Sequence, residues 1–146
     1  MEKSINVLLV DDNDDDAFFI ERAFQSAGVA IHVFRCIDGQ EAINYLENKP
    51  PFTSPSFHPK PDFVLLDLKL PVKDGFDVLT WIRGHKELSS LIVAILTSSA
   101  EKRDVERAYQ LNANVYLTKP RSLQEMIDLA KSINLLWFQS CLRLLP

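Results

Sequence analysis

The sequence is short of cysteine, of glycine and of long apolar runs, and each shortage removes a class of protein. Its two cysteines, Cys36 and Cys141, fit neither a zinc spacing nor a disulfide framework and read as reduced packing residues. Four glycines form no G-x-G-x-x-G or Walker phosphate loop. No stretch approaches the roughly 20 apolar residues of a membrane span, and the run after Glu2 and Lys3 is too short for a secretory leader. Basic residues are not in excess: the net charge of -4 argues against a nucleic-acid surface. No internal repeat is visible. These absences leave one cytoplasmic domain over residues 1–146, long enough to bury a sizeable core.

What is present is a series of short apolar runs alternating with amphipathic stretches. Residues 5–10, 31–36, 63–66, 91–96 and 115–117 are apolar runs between breakers, as strands buried on both faces of a parallel sheet require. Between them lie helical patterns. Ala17, Ile20, Phe24 and Ala27 recur at helical spacing, capped by Asn13 or Asp14 and stopped by Gly28. Asp38 and Glu41 resemble a capping box, as do Ser122 and Glu125 before a last helix with Leu123, Met126, Ile127, Ala130 and Ile133 on one face. Five strands alternating with five helices predict an α/β, doubly wound parallel sheet with helices on both faces. Five of the eight prolines crowd residues 49–61, which predicts a semi-extended loop insertion at the end of the sheet away from the carboxylates.

The strand ends carry the chemistry. Parallel strands point their carboxyl ends one way, and open α/β sheets bind ligands there. Strand one delivers Asp11 and Asp12, strand three Asp67, strand four Thr97 and strand five Lys119. Three close carboxylates repel, and at least one should hold its proton unless a cation resolves the repulsion. Mg²⁺ suits this, since it takes oxygen ligands and keeps waters. Such a set favours phosphoryl transfer onto Asp67, with Lys119 pairing the phosphoryl group and Thr97 donating a hydrogen bond to it. Singly, each residue has an ordinary structural explanation; the combination at successive strand ends does not. Asp14 to Asp16 are accounted for by the positive end of the first helix dipole.

Val10-Asp11-Asp12, Leu65-Leu66-Asp67-Leu68, Leu70-Pro71, Asp74-Gly75, Leu96-Thr97-Ser98 and Lys119-Pro120 together resemble the receiver domain of bacterial two-component response regulators. The resemblance runs from about residue 5 to residue 135. It implies a flavodoxin-like strand order 2-1-3-4-5 and a sensor histidine kinase as phosphodonor. It implies that Asp67 is the phosphoacceptor and that Asp12, Asp67 and the backbone carbonyl of Lys69 ligate Mg²⁺, with Asp11 acting through water. It makes Thr97 the switch hydroxyl, Tyr116 the switch aromatic and Lys119 the phosphate partner, with a cis Lys119–Pro120 bond. Lys69 and Ser99 occupy positions that tune phosphoryl lifetime in the family.

The insertion at 49–61 and an extension from about residue 135 to 146 resemble the small stand-alone regulators associated with cyanobacterial phytochromes and bacteriophytochrome kinases. Leu135, Leu136, Trp137, Phe138, Leu142, Leu144 and Leu145 make that extension apolar nearly all round. Such a helix wants burial on more than one side. The expectation is a homodimer through the last helix and tail, against the alternative that the tail folds back on its own domain. Two other functions compete. A Mg²⁺-dependent phosphohydrolase with an aspartyl nucleophile would want a second acid where Lys69 stands. A receiver-like binding module without phosphorylation would be expected to lack Asp12, Asp67 or Lys119, and all are present.

Overall fold

The computed structural model describes residues 4–139. Ser140 to Pro146, with Cys141, Leu142, Leu144 and Leu145, lie outside the described residues. The chain alternates β1 (Ile5–Val10), α1 (Asp14–Ser26), β2 (Ile31–Cys36), α2 (Gly39–Leu46), β3 (Phe63–Leu66), α3 (Gly75–Gly84), β4 (Ile92–Thr97), α4 (Lys102–Gln110), β5 (Val115–Thr118) and α5 (Leu123–Ile133). The strands form one parallel sheet in the order β2-β1-β3-β4-β5.

Each strand feeds both faces because side chains alternate along it. Val7 and Leu9, Phe63 and Leu65, and Ala94 and Leu96 face α1 and α5, where they meet Ala17, Ile20, Phe24, Met126 and Ala130. Leu8 and Val10, Val64 and Leu66, and Val93 and Ile95 face α2, α3 and α4. All four residues of β3 and all six of β4 are buried, which is why these strands read as unbroken apolar runs.

The helix starts follow local chemistry. Asn13 caps α1 by accepting from the Asp16 N–H at 2.9 Å, and Gly28 ends that helix with φ +71°. Asp74 and Asp77 make a reciprocal capping box at α3. At α2 only half of the expected box forms. Asp38 accepts from the Glu41 N–H, but Glu41 reaches the Ile37 N–H at 3.4 Å.

Three expectations need correction. Residues 49–61 are not a semi-extended loop, although they do sit at the amino end of the sheet, leading into β3. The segment contains turns, and Phe52 is buried against Tyr45 and His58, with ring centroids 5.2 and 5.1 Å away. The Tyr45 hydroxyl donates to the Pro59 carbonyl at 2.9 Å. Aromatic side chains among the prolines supply the apolar area that folds the segment back. The Lys119–Pro120 bond is trans, while Pro50–Pro51 is cis; trans is the intrinsically favoured isomer by about 0.5–1 kcal/mol. The last helix continues beyond Ile133 as a π-helical stretch, Asn134–Gln139. Its wider turn carries Phe138 onto Phe63 (5.0 Å, edge to face) and Phe24 (6.4 Å), and Trp137 to 6.3 Å from Phe63. Two residues expected on an outward interface therefore pack on their own domain, while Leu135 and Leu136 stay exposed.

Candidate functional site

The site follows from the register of the two central strands. Val10 pairs with Leu66, so the next residues, Asp11 and Asp67, emerge side by side at the carboxyl rim. The ladder holds them there: the Asp67 N–H donates to the Val10 carbonyl at 3.0 Å, and the Asp11 N–H to the Cys36 carbonyl at 3.1 Å. This is the point where the strand order reverses, the place at which open α/β sheets form ligand crevices. Thr97 ends β4, and the Lys119 N–H donates to its carbonyl at 2.8 Å, which brings β5 to the same rim. The start of α3 presses on this rim from below. A Cβ at Gly75 would overlap the Asp67 carbonyl oxygen, so only glycine fits.

Carboxylate oxygens of Asp11, Asp12 and Asp67 all lie within 4.8 Å of one another. Asp11 and Asp67 are buried and Asp12 is exposed. Asp67 Oδ1 accepts from the Leu68 N–H at 2.7 Å. Its Oδ2 accepts from Lys119 Nζ at 2.8 Å. Lys119 Nζ also lies 2.8 Å from Asp11 Oδ2, but off the angle of a directed hydrogen bond, so that oxygen is held by charge alone. Asp11 Oδ1 accepts from the Asn13 N–H at 2.9 Å. Burial pushes the Asp11 carboxyl above the usual carboxylate range despite Lys119 and the Asn13 amide. Burial would lower Lys119, yet Asp11, Asp16 and Asp67 outweigh it and hold the ammonium above the ordinary lysine value.

The Thr97 hydroxyl is fully buried at the same rim and has no hydrogen-bond partner. An unpaired buried hydroxyl is costly to keep unless it serves a ligand. The Tyr116 side chain packs against the core on the α4 side, and its hydroxyl donates to the Ser99 carbonyl at 2.8 Å. The ring thus ties β5 to the loop after Thr97.

Comparison with known proteins identifies the family. The family profile of the response regulator receiver domain matches residues 7–131. The chain belongs to the response regulator receiver family. The receiver is 31% identical to response regulator Rcp1 of Synechocystis sp. over 134 residues, 92% of this chain and 89% of Rcp1. Among solved structures it is similar to the phosphorylated cyanobacterial phytochrome response regulator RcpA, with TM-score 0.86 and 32% identity, covering 95% of this chain and 97% of that one. It is also similar to the Mn²⁺-bound form of Rcp1, with TM-score 0.82 and 30% identity over 93% and 96% of the two chains.

In this receiver the expected residues Asp11, Asp12, Asp67, Thr97 and Lys119 come together at one rim, with Lys69 next to it on the β3–α3 loop. The Lys69 N–H lies 3.4 Å from Asp67 Oδ1 and its side chain is exposed. The Ser99 hydroxyl donates to Asp104 Oδ2 at 2.6 Å.

Two charged residues escaped the sequence reading. Asp16, accounted for there by the helix dipole, accepts from Lys119 Nζ at 2.9 Å. Arg35 on β2 donates through Nε and Nη2 to the Asp11 carbonyl at 3.1 and 3.0 Å and pairs with Asp14 at 2.8 Å. A signal existed for both. The first turn of α1 stays at the rim where β1 ends, and Arg35 is a charge near the tip of the strand beside β1.

Proposed function

We propose that this receiver accepts a phosphoryl group on Asp67 from a phosphohistidine of a sensor histidine kinase, of the kind that serves phytochromes. What supports this most is one contact set. The buried Asp67 carboxylate sits within 4.8 Å of two further acids and 2.8 Å from the Lys119 ammonium. In the step, an Asp67 carboxylate oxygen attacks phosphorus, the P–N bond to the histidine breaks, and the leaving imidazole nitrogen keeps the electron pair and takes up a proton. Lys119 donates to a phosphoryl oxygen, and the unpartnered Thr97 hydroxyl supplies a further donor.

A divalent cation, Mg²⁺ in this reading, fits the donor set. Three carboxylates with one off-angle ammonium contact leave Asp11 Oδ2 without a directed partner. Asp12, Asp67 and the Lys69 carbonyl would hold it, with Asp11 acting through water. Bound there, it would withdraw charge from the transferring phosphoryl group. The chain's own residues do the rest. Asp67 is oriented by the Leu68 amide, Gly75 keeps the α3 start tight beneath it, and Arg35 fixes the acid-pair loop.

The response to phosphorylation is a population shift in which Thr97 closes on the phosphoryl group and Tyr116 resets its contact with the Ser99 carbonyl. The reading places the protein in the cytoplasm as one domain with a loop insertion and a C-terminal extension, with neither nucleic acid nor membrane as partner; among the described residues no helix is long and apolar enough to cross a membrane. The exposed pair Leu135 and Leu136 on the extended last helix favours a homodimer through that helix and the tail. Sedimentation of the full chain and of Leu136→Asp tests it. A shift to monomer in the variant is expected, and a full chain that is monomeric at micromolar concentration overturns it.

The acceptor reading is tested by intact mass after incubation with Mg²⁺ and a phosphorylated kinase or small acyl phosphate. One phosphoryl group should be gained, and none without Mg²⁺. No adduct in the presence of a competent kinase would favour the binding module, and turnover of many phosphate esters the hydrolase.

A further inference from the structure

We propose that Asp16 is a positioning residue that restrains Lys119 and slows phosphorylation of Asp67. This rests on the phosphoacceptor reading of Asp67 and adds a regulator to it. A lysine ammonium has three N–H donors. Here two are committed in directed bonds, to Asp67 Oδ2 at 2.8 Å and to Asp16 Oδ2 at 2.9 Å, while the Asp11 contact is off-angle. Asp16 therefore shares the Lys119 ammonium with the acceptor. Its carboxylate hangs from the first turn of α1, a different element from the strand ends that carry the other acids.

Asp16 is also not one of the three acids that cluster closely enough to share a cation. A divalent ion among Asp11, Asp12 and Asp67 offsets two of their three charges, whereas Asp16 lies outside that group and keeps its own. When the phosphoryl group arrives, Lys119 must turn a donor to its oxygens. Forming the acyl phosphate moves the negative charge from the Asp67 carboxylate onto the phosphoryl oxygens, and the Asp16 carboxylate competes with those oxygens by drawing the ammonium toward α1. The same carboxylate faces the incoming oxygens with a like charge. Both effects oppose transfer, and a like charge close to a reacting group is effective where solvent is partly excluded. Lys119 is largely buried, with 13% of its side chain exposed, while Asp16 is at 43%, so screening from the solvent side moderates the effect without abolishing it.

The sign of this effect separates it from a structural role. If Asp16 merely supported the fold or held Lys119 in a productive place, its loss would slow phosphorylation. As a restraint, its neutralisation speeds it. The test uses the full chain, acetyl phosphate and Mg²⁺, with initial rates of phosphoryl gain read by intact mass for wild type, Asp16→Asn and Asp16→Glu. Asp16→Asn should react about threefold faster or more, and Asp16→Glu, which keeps the charge, within about twofold of wild type. Thermal melting of each variant reports that the fold is kept; should Asp16→Asn melt early, Asp16→Ser carries the same comparison. A reacting wild type with Asp16→Asn no faster, or with Asp16→Glu as fast as Asp16→Asn, overturns the restraint. A wild type that gains no phosphoryl group brings down the acceptor reading on which the restraint rests.

Discussion

The two ends of the sheet are built from opposite materials. At the carboxyl end, Asp11, Asp16 and Asp67 surround one ammonium, Asp12 lies beside Asp11 and Asp67, and a buried threonine hydroxyl has no partner. At the amino end, Phe63 begins β3 inside a cluster with Phe24, Trp137 and Phe138, and Phe52, Tyr45 and His58 interlock across the 49–61 segment. Burying charge and leaving a donor unpaired both cost stability. Packing aromatic rings restores it. The difference teaches that a parallel sheet can keep one rim electrostatically unsatisfied, and so receptive, because the other rim is closed by apolar contact.

The comparison can be broken most directly at its apolar end. Phe63→Ala empties a fully buried site touched by Trp137 and Phe138 and should cost about 4 kcal/mol in urea unfolding. A loss under about 1 kcal/mol would mean that the aromatic cluster does not carry the stability assigned to it.

At the charged end, Lys119→Met removes the counter-charge from the buried acids and should cost about 3 kcal/mol at neutral pH. Part of this should return on adding Mg²⁺. Part should also return on acidification, because the Asp11 carboxyl, raised by burial, binds a proton more readily folded than unfolded. The wild type carries the opposite signature in alkali. Lys119 is raised in the fold, so its contribution is complete below the ordinary lysine value of about 10.4 and is lost as pH rises beyond it. Chemical denaturation across pH checks both signs.

Two smaller effects sharpen the contrast. Val72, beside the site on the β3–α3 loop, holds φ at 68°, a left-handed conformation that β-branched residues avoid. Val72→Gly should stabilise the protein by about 1 kcal/mol, read as a higher urea midpoint. Thr97→Val removes the orphan hydroxyl at nearly constant shape. It should leave stability unchanged or raise it by up to about 1 kcal/mol. A clear loss would show that the hydroxyl is bonded in the resting protein.

Much of the fold was legible because its causes are local. Strands buried on both faces must be apolar throughout, so β3 and β4 stood out as runs, and Asn13, Asp38 and Ser122 announced helix starts by side-chain chemistry that acts over three residues. The convergence of Asp11, Asp67, Thr97 and Lys119 was legible because parallel strands share one direction. What escaped depends on distances across the fold. Asp16 lies 103 residues from Lys119, and no periodicity links them. The Arg35 clamp on the Asp11 carbonyl arises from strand pairing rather than from any motif. The π-helical turn carries Phe138 onto Phe63, a contact the last helix makes only in three dimensions. The 49–61 segment was misread as semi-extended because proline content was weighed above Phe52 and His58.

The central claim is that Asp67, among several acids at one rim, is the acceptor. Borohydride trapping addresses it, since reduction of an aspartyl phosphate leaves homoserine at the modified position. After incubation with Mg²⁺ and acetyl phosphate, peptide mapping should find homoserine at position 67, absent without Mg²⁺ and absent in Asp67→Asn. Homoserine at position 11, 12 or 16, or at no position with acetyl phosphate and Mg²⁺ in excess, would contradict the account.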